Sequence, residues 1–125
     1  KRIADVSQLR TAAELYFDDN SGTYPTALTI ATIGDYLSVP TVPVDPVTKA
    51  GYVYAFNPAA VTIQYHLWTE LERKNPNAFS GDSDINSAAW SSGTRIDASP
   101  ATTEACTAAY AAGAARDCIY DVGQK

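Results

Sequence analysis

The sequence predicts an α+β fold, with one long N-terminal amphipathic helix packed on a small antiparallel β-sheet. Three observations predict it. Residues Lys1 to Asp19 (KRIADVSQLRTAAELYFDD) carry apolar side chains at helical spacing. Two segments, Gly51 to Phe56 (GYVYAF) and Val61 to Trp68 (VTIQYHLW), alternate with the two-residue period of a strand. Composition then sets the scale. The chain has 125 residues, 46% hydrophobic and 18% charged, which is one globular domain over 1–125 with enough apolar side chains for a real core.

The helix comes first. At 100° per residue, Ile3, Val6, Leu9, Ala13, Tyr16 and Phe17 fall within roughly 140°, wide enough for a core-facing stripe. Asp5, Ser7, Gln8, Thr11 and Glu14 lie on or near the other side, and Leu15 falls off the stripe. Arg10 sits inside it and must snorkel or find a partner. Asn20-Ser21-Gly22 ends the helix. No cap, loop or strand precedes it, so the periodicity begins in mid-stride. That start is expected of the second half of a longer helix.

The remaining elements follow in order. The 27–37 segment (ALTIATIGDYL) reads as a helical turn that places Ile30, Ile33 and Leu37 on the core. Residues 39–46 (VPTVPVDP) hold too many prolines for a helix or a central strand and form an extended connector. The two alternating segments meet across Asn57-Pro58-Ala59-Ala60 as an antiparallel hairpin. Val61, Ile63, Tyr65 and Leu67 share one face of the second strand; Thr62, Gln64, His66 and Trp68 share the other. Residues 75–99 are rich in Asn, Asp, Ser and Gly and read as a surface loop. The Ala-rich stretch 102–115 suits a helix, and Cys118 to Val122 (CIYDV) a last strand.

Charge and motif content exclude several functions. Net charge is −5, with no Lys or Arg run to form a nucleic-acid surface. The sequence has no GxSxG, P-loop, GxGxxG or HExxH motif, and an enzyme is not expected. His66 is the single histidine and reads as a surface residue on the polar strand face. Glu70 and Glu72 read as a solvated strand end. Cys106 and Cys118 lack the CxxC spacing of a redox or zinc motif. They are either one disulfide, worth about 3 kcal/mol and suited to an oxidising compartment, or two buried thiols.

One segment has the donors for a metal ion. Asp82-Ser83-Asp84-Ile85-Asn86 places oxygen ligands at Asp82, Asp84 and Asn86, the D-x-D-x-N opening of a calcium loop. The match then stops, because the sixth position is Ser87 rather than Gly and the twelfth is Gly93 rather than Glu. Asp97 is placed to fold back and assist. Without an ion, the same residues would make Asx-turns.

The block RIADVSQLRTAAELYFDDNSGTYP resembles the end of the long N-terminal helix of bacterial type IV pilins and type II secretion major pseudopilins. In those families a QLRTALELY-type segment leads to a polar stop and a Tyr-Pro pair, here Gln8 to Tyr16, Asp18 to Gly22, and Tyr24-Pro25. Val39-Pro40, Asp45-Pro46, the Gly51-Tyr52-x-Tyr54 strand, and Tyr65, Leu67, Leu71 and Glu72 continue the likeness, which covers roughly residues 2 to 72. The cysteine pair resembles the C-terminal disulfide-bounded region of pilins. The families' leader, processing site, fifth-position Glu and apolar half-helix have no counterpart within residues 1–125.

The resemblance implies a pilin-like structural subunit of a pilus or pseudopilus, serving adhesion, motility, DNA uptake or secretion. Its partners would be copies of itself in a helical filament, the assembly machinery, and the inner membrane through an apolar segment upstream of Lys1. It would reside in an extracellular filament or a periplasmic pseudopilus, anchored to the inner membrane before assembly. No cofactor is implied except calcium, which major pseudopilins hold in a loop after the second strand, although the 75–99 stretch departs from that loop's pattern. The alternative is a minor pilin or adhesin-like binding module, with Trp68, Trp90 and Tyr110 as candidate ligand contacts.

Overall fold

A computed structural model describes residues 2–47, 49–57, 63–71, 79–80, 82–90, 92–95, 98 and 119–124. The fold is α+β. Helix α1 (Arg2–Asp19) is followed by a short helix α2 (Ile30–Ile33) that runs into a 3-10 turn, Gly34–Tyr36. The strands are β1 (Val53–Asn57), β2 (Gln64–Glu70), β3 (Ser92–Gly93) and β4 (Ile119–Gln124). They form one antiparallel sheet in the order β3-β1-β2-β4. Expected positions 58–62, 72–78 and 99–118, and with them Cys106, Cys118, Tyr110, Glu72 and the 102–115 helix, lie outside the described residues, as does Asp97.

Helix α1 lies on the sheet through Val6, Leu9, Ala12 and Ala13, which pack with Tyr24, Ile33, Tyr65, Leu67 and Val122 in the main core. Each large apolar side chain removed from water there is worth about 2 kcal/mol. The expected stripe is therefore largely in place: Val6, Leu9 and Ala13 are buried, while Ile3, Tyr16 and Phe17 are half-buried at its margins. Two details differ. Ala12 widens the buried face, and Asp5, expected on the polar side, is buried because the Tyr52 hydroxyl donates to its carboxylate at 2.8 Å. Arg10 resolves its conflict by reaching solvent, and Leu15 is exposed as its position predicts.

The helix ends where the sequence changes character. Asn20 N–H and its side-chain amide both donate to the Tyr16 carbonyl at 2.9 Å, and Gly22 N–H donates to Phe17 O at 3.1 Å. Ser21 and Gly22 carry positive φ, as a left-handed helix stop requires. The chain then folds back, burying Tyr24 against Phe17 and Tyr65 with ring centroids 4.4 and 4.5 Å apart. Within 27–37, Ile33 is buried and Leu37 packs on the core, but Ile30 points outward and is 51% exposed. Ile30 opens this single turn, and its side chain lies beside Gly34 at the edge of the core rather than within it. The other end of α1 is tied down by Arg2, whose guanidinium meets Asp45 in a bidentate pair at 2.6 and 3.0 Å.

The hairpin pairs Val53 with Trp68 through Asn57 with Gln64. Tyr65 and Leu67 share a face as expected, and that face meets α1, whereas Ile63, assigned to the same face, lies just outside β2 and is 50% exposed. The main departure is on the opposite face. Residues expected to form a surface loop cover it: Phe79, Ile85, Ser87, Trp90 and Ala98 are all buried. Trp68 packs with Ala98 and Ile119, and Ala55 with Ile85 and Trp90. The sheet is thus enclosed on both faces, by a helix on one and by an irregular loop on the other.

Candidate functional site

Three buried polar side chains, His66, Ser87 and Asp121, meet beneath that loop. His66 on β2 projects from the second face, and Asp121 on β4 projects beside it, because β2 and β4 pair with His66 opposite Gly123 and Trp68 opposite Asp121. His66 Nε2 lies 2.8 Å from Asp121 Oδ2, and His66 Nδ1 lies 2.8 Å from Ser87 Oγ. All three residues are 0% exposed. A carboxylate only accepts, so Nε2 carries the proton, and in the neutral ring Nδ1 accepts from the Ser87 hydroxyl. His66 is therefore not the surface residue its strand position suggests. Alternation assigned its face correctly, but that face is roofed.

Asp121 is the centre of this arrangement. Asp84 N–H donates to its Oδ1 at 2.9 Å and Ile85 N–H to its Oδ2 at 2.8 Å, while Ser83 N–H donates to its main-chain carbonyl at 3.0 Å. Successive amides aimed at one carboxylate form an anion-binding concavity, here filled by the protein's own side chain. Asp84 supports the turn with a φ of 49°, a left-handed conformation that Asp tolerates better than most residues. Gly123 allows the close approach. A Cβ there would collide with the Tyr65 carbonyl and come within 2.8 Å of Ile85 Cδ1.

Serine, histidine and aspartate in this order are the groups of nucleophilic catalysis. Here each is sealed from solvent, and the chain of hydrogen bonds fastens the loop to the sheet rather than presenting a nucleophile. Trp68 and Trp90, candidates for ligand contact, are buried in the two clusters of this face, with the Trp90 ring 6.1 Å from His66. Glu70 is half-buried at the end of β2.

The expected calcium donors are partly regrouped. Asp82, Asp84 and Asp121 offer carboxylate oxygens that all lie within 4.8 Å of one another. Calcium binds oxygens at about 2.3–2.6 Å, so donors across the ion stand about 5 Å apart, and this spacing and donor type fit such an ion. The Asn86 side-chain oxygen accepts from Ala88 N–H at 3.0 Å in an Asx-turn, and the residue is exposed. Asp121 joins Asp82 and Asp84 from a strand more than thirty positions away. The sequence held one sign of this: a carboxylate inside the otherwise apolar CIYDV needs partners if that strand is buried.

No helix among the described residues is long and apolar enough to cross a membrane. No family model, curated protein or solved structure matches the chain.

Proposed function

We propose that this chain is the globular part of a structural subunit of a type IV pilus or type II secretion pseudopilus. The observation that supports the reading best is the order of parts: an 18-residue N-terminal helix, a polar stop and Tyr24-Pro25, a proline-rich connector, and then an antiparallel hairpin against which the helix packs. In this reading α1 continues an apolar segment upstream, which anchors the subunit in the inner membrane and later packs against its copies in the filament. The described domain decorates that rod. Arg2–Asp45 and Asp5–Tyr52 bind the start of α1 to the 45–52 region, so that tension along the helix is borne by the domain as well. Calcium, which the resemblance implies, would be held by Asp82, Asp84 and Asp121 and would neutralise their charge at the loop.

The test is direct. The gene upstream of Lys1 is expected to encode about twenty apolar residues, with a Glu at the fifth mature position, and antibodies to the domain are expected to label filaments sheared from the cells. A gene that begins at or just before Lys1 without such a segment overturns the reading.

A further inference from the structure

We propose that the groove between the 26–29 segment and the open side of β1 is a binding site for a neutral saccharide. The inference does not rest on the filament reading. The cavity has a volume of about 520 Å³, within the range of small-ligand sites. Its chemistry narrows the ligand. None of the described residues that line it is charged, and the chain carries a net charge of −5, which disfavours phosphate-bearing or acidic ligands. The threonines Thr26, Thr29 and Thr94 line it, all exposed, and a hydroxyl both donates and accepts as a sugar hydroxyl does. Tyr52, Tyr54 and Phe56 supply aromatic walls for the C–H faces of a sugar ring.

The walls are set in advance. The Tyr52 hydroxyl is spent on Asp5 at 2.8 Å and that of Tyr54 on the Pro25 carbonyl at 2.6 Å, so both rings are fixed from their far ends. Thr94 N–H donates to Tyr54 O at 3.0 Å, which holds the third side of the groove. A preformed site loses little ordering entropy on binding. The competing occupant, an extended peptide paired with the edge of β1, has little room. Thr94 already takes Tyr54 O, and the Val44–Gly51 bridge closes the other end. The two residues between, Tyr52 and Val53, are fewer than the usual minimum strand of about three.

The experiment is an amide NMR titration of the isotope-labelled chain with glucose, galactose, N-acetylglucosamine, maltose and lactose, each to about 10 mM, a range that detects dissociation constants of about 1 mM. At least one sugar is expected to give saturable shifts confined to 26–29, 51–56 and 93–94. A Cβ at Gly51, which lines the groove, meets nothing within 4 Å, so Gly51→Trp is chosen to place bulk there. It is expected to weaken binding about tenfold or more. Thr94→Ala, which keeps the main-chain bond, is expected to weaken it about threefold to tenfold and decides the matter if Gly51→Trp disturbs the fold. The proposal is overturned if no sugar gives saturable shifts, if the shifts map elsewhere, or if the variants that remain folded bind as the parent does. It is equally overturned if an uncharged peptide such as N-acetyl-tetra-alanine amide shifts these amides while every sugar is silent.

Discussion

Replacing Asp121 with alanine strips the acceptor from the Asp84 and Ile85 amides and from His66 in one step, all within a buried region. Each buried donor left without an acceptor costs about 1–3 kcal/mol, and urea unfolding is expected to show a loss of about 3 kcal/mol or more. Asp121→Asn keeps one oxygen acceptor and should cost less. Gly123→Ala drives a methyl into the Tyr65 carbonyl and should cost about 1–3 kcal/mol or more, whereas Gly51→Ala should be nearly silent. The tyrosines set the alkaline limit. Burial, then the Glu14 carboxylate, pushes the Tyr24 phenol up to about 12, and burial first also raises Tyr52, Tyr54 and Tyr65. Folded values above the unfolded value of about 10 mean that the neutral phenols stabilise the fold in full below pH 10. That contribution is lost as pH rises from about 10 through the folded values. Followed residue by residue by NMR, ionisation of Tyr24, Tyr52, Tyr54 and Tyr65 should therefore coincide above pH 10 with loss of the far-ultraviolet circular dichroism signal. Ionisation of any of these four near pH 10 in a chain that stays folded would contradict this.

Elements that depend on local pattern were legible in the sequence, and elements that depend on distant partners were not. Helix α1 and the β1–β2 hairpin each announce themselves by period, and they occupy their predicted places within a few residues. Asp5 was misassigned because its partner, Tyr52, lies 47 positions away. Residues 75–99 read as a surface loop because Asn, Asp, Ser and Gly dominate their composition. Among the described residues, the left-handed Asp84 and the Asn86 Asx-turn bend the main chain, and Phe79, Ile85, Trp90 and Ala98 are buried. His66 and two of the three clustered carboxylates stood out in the sequence. The residue that joins them, Asp121, did not, because strand pairing alone brings it near. The helix itself allows a clean test. Leu9→Ala in the core should cost about 2–5 kcal/mol, while Leu15→Ala on the exposed side should stay within about 0.5 kcal/mol. Thermal or urea unfolding distinguishes the two, and equal effects would mean that α1 packs by another face.

The described residues form three layers, with the sheet between the helix and the loop. Strand β2 serves both outer layers, sending Tyr65 and Leu67 to the helix and His66 and Trp68 to the loop. Neither layer can lose its contacts without exposing a strand that the other needs, so the described parts should unfold in one transition. Tryptophan fluorescence reports the loop side through Trp68 and Trp90, and far-ultraviolet circular dichroism reports α1. The two curves should coincide in urea. An earlier fluorescence transition would show that the loop opens by itself.

The position of β4 has a consequence for how the protein is made. This strand is synthesised after every other described element, yet it lies beside β2, closes the main core through Val122 and supplies Asp121 to the loop. While the ribosome is still translating residues before 119, the nascent chain has its helix and hairpin but neither a finished interior nor an acceptor for the amides of Asp84 and Ile85. Acquisition of the native state therefore waits for the release of that segment from the exit tunnel. A nonsense codon just ahead of Ile119 should leave a product that cellular proteases remove.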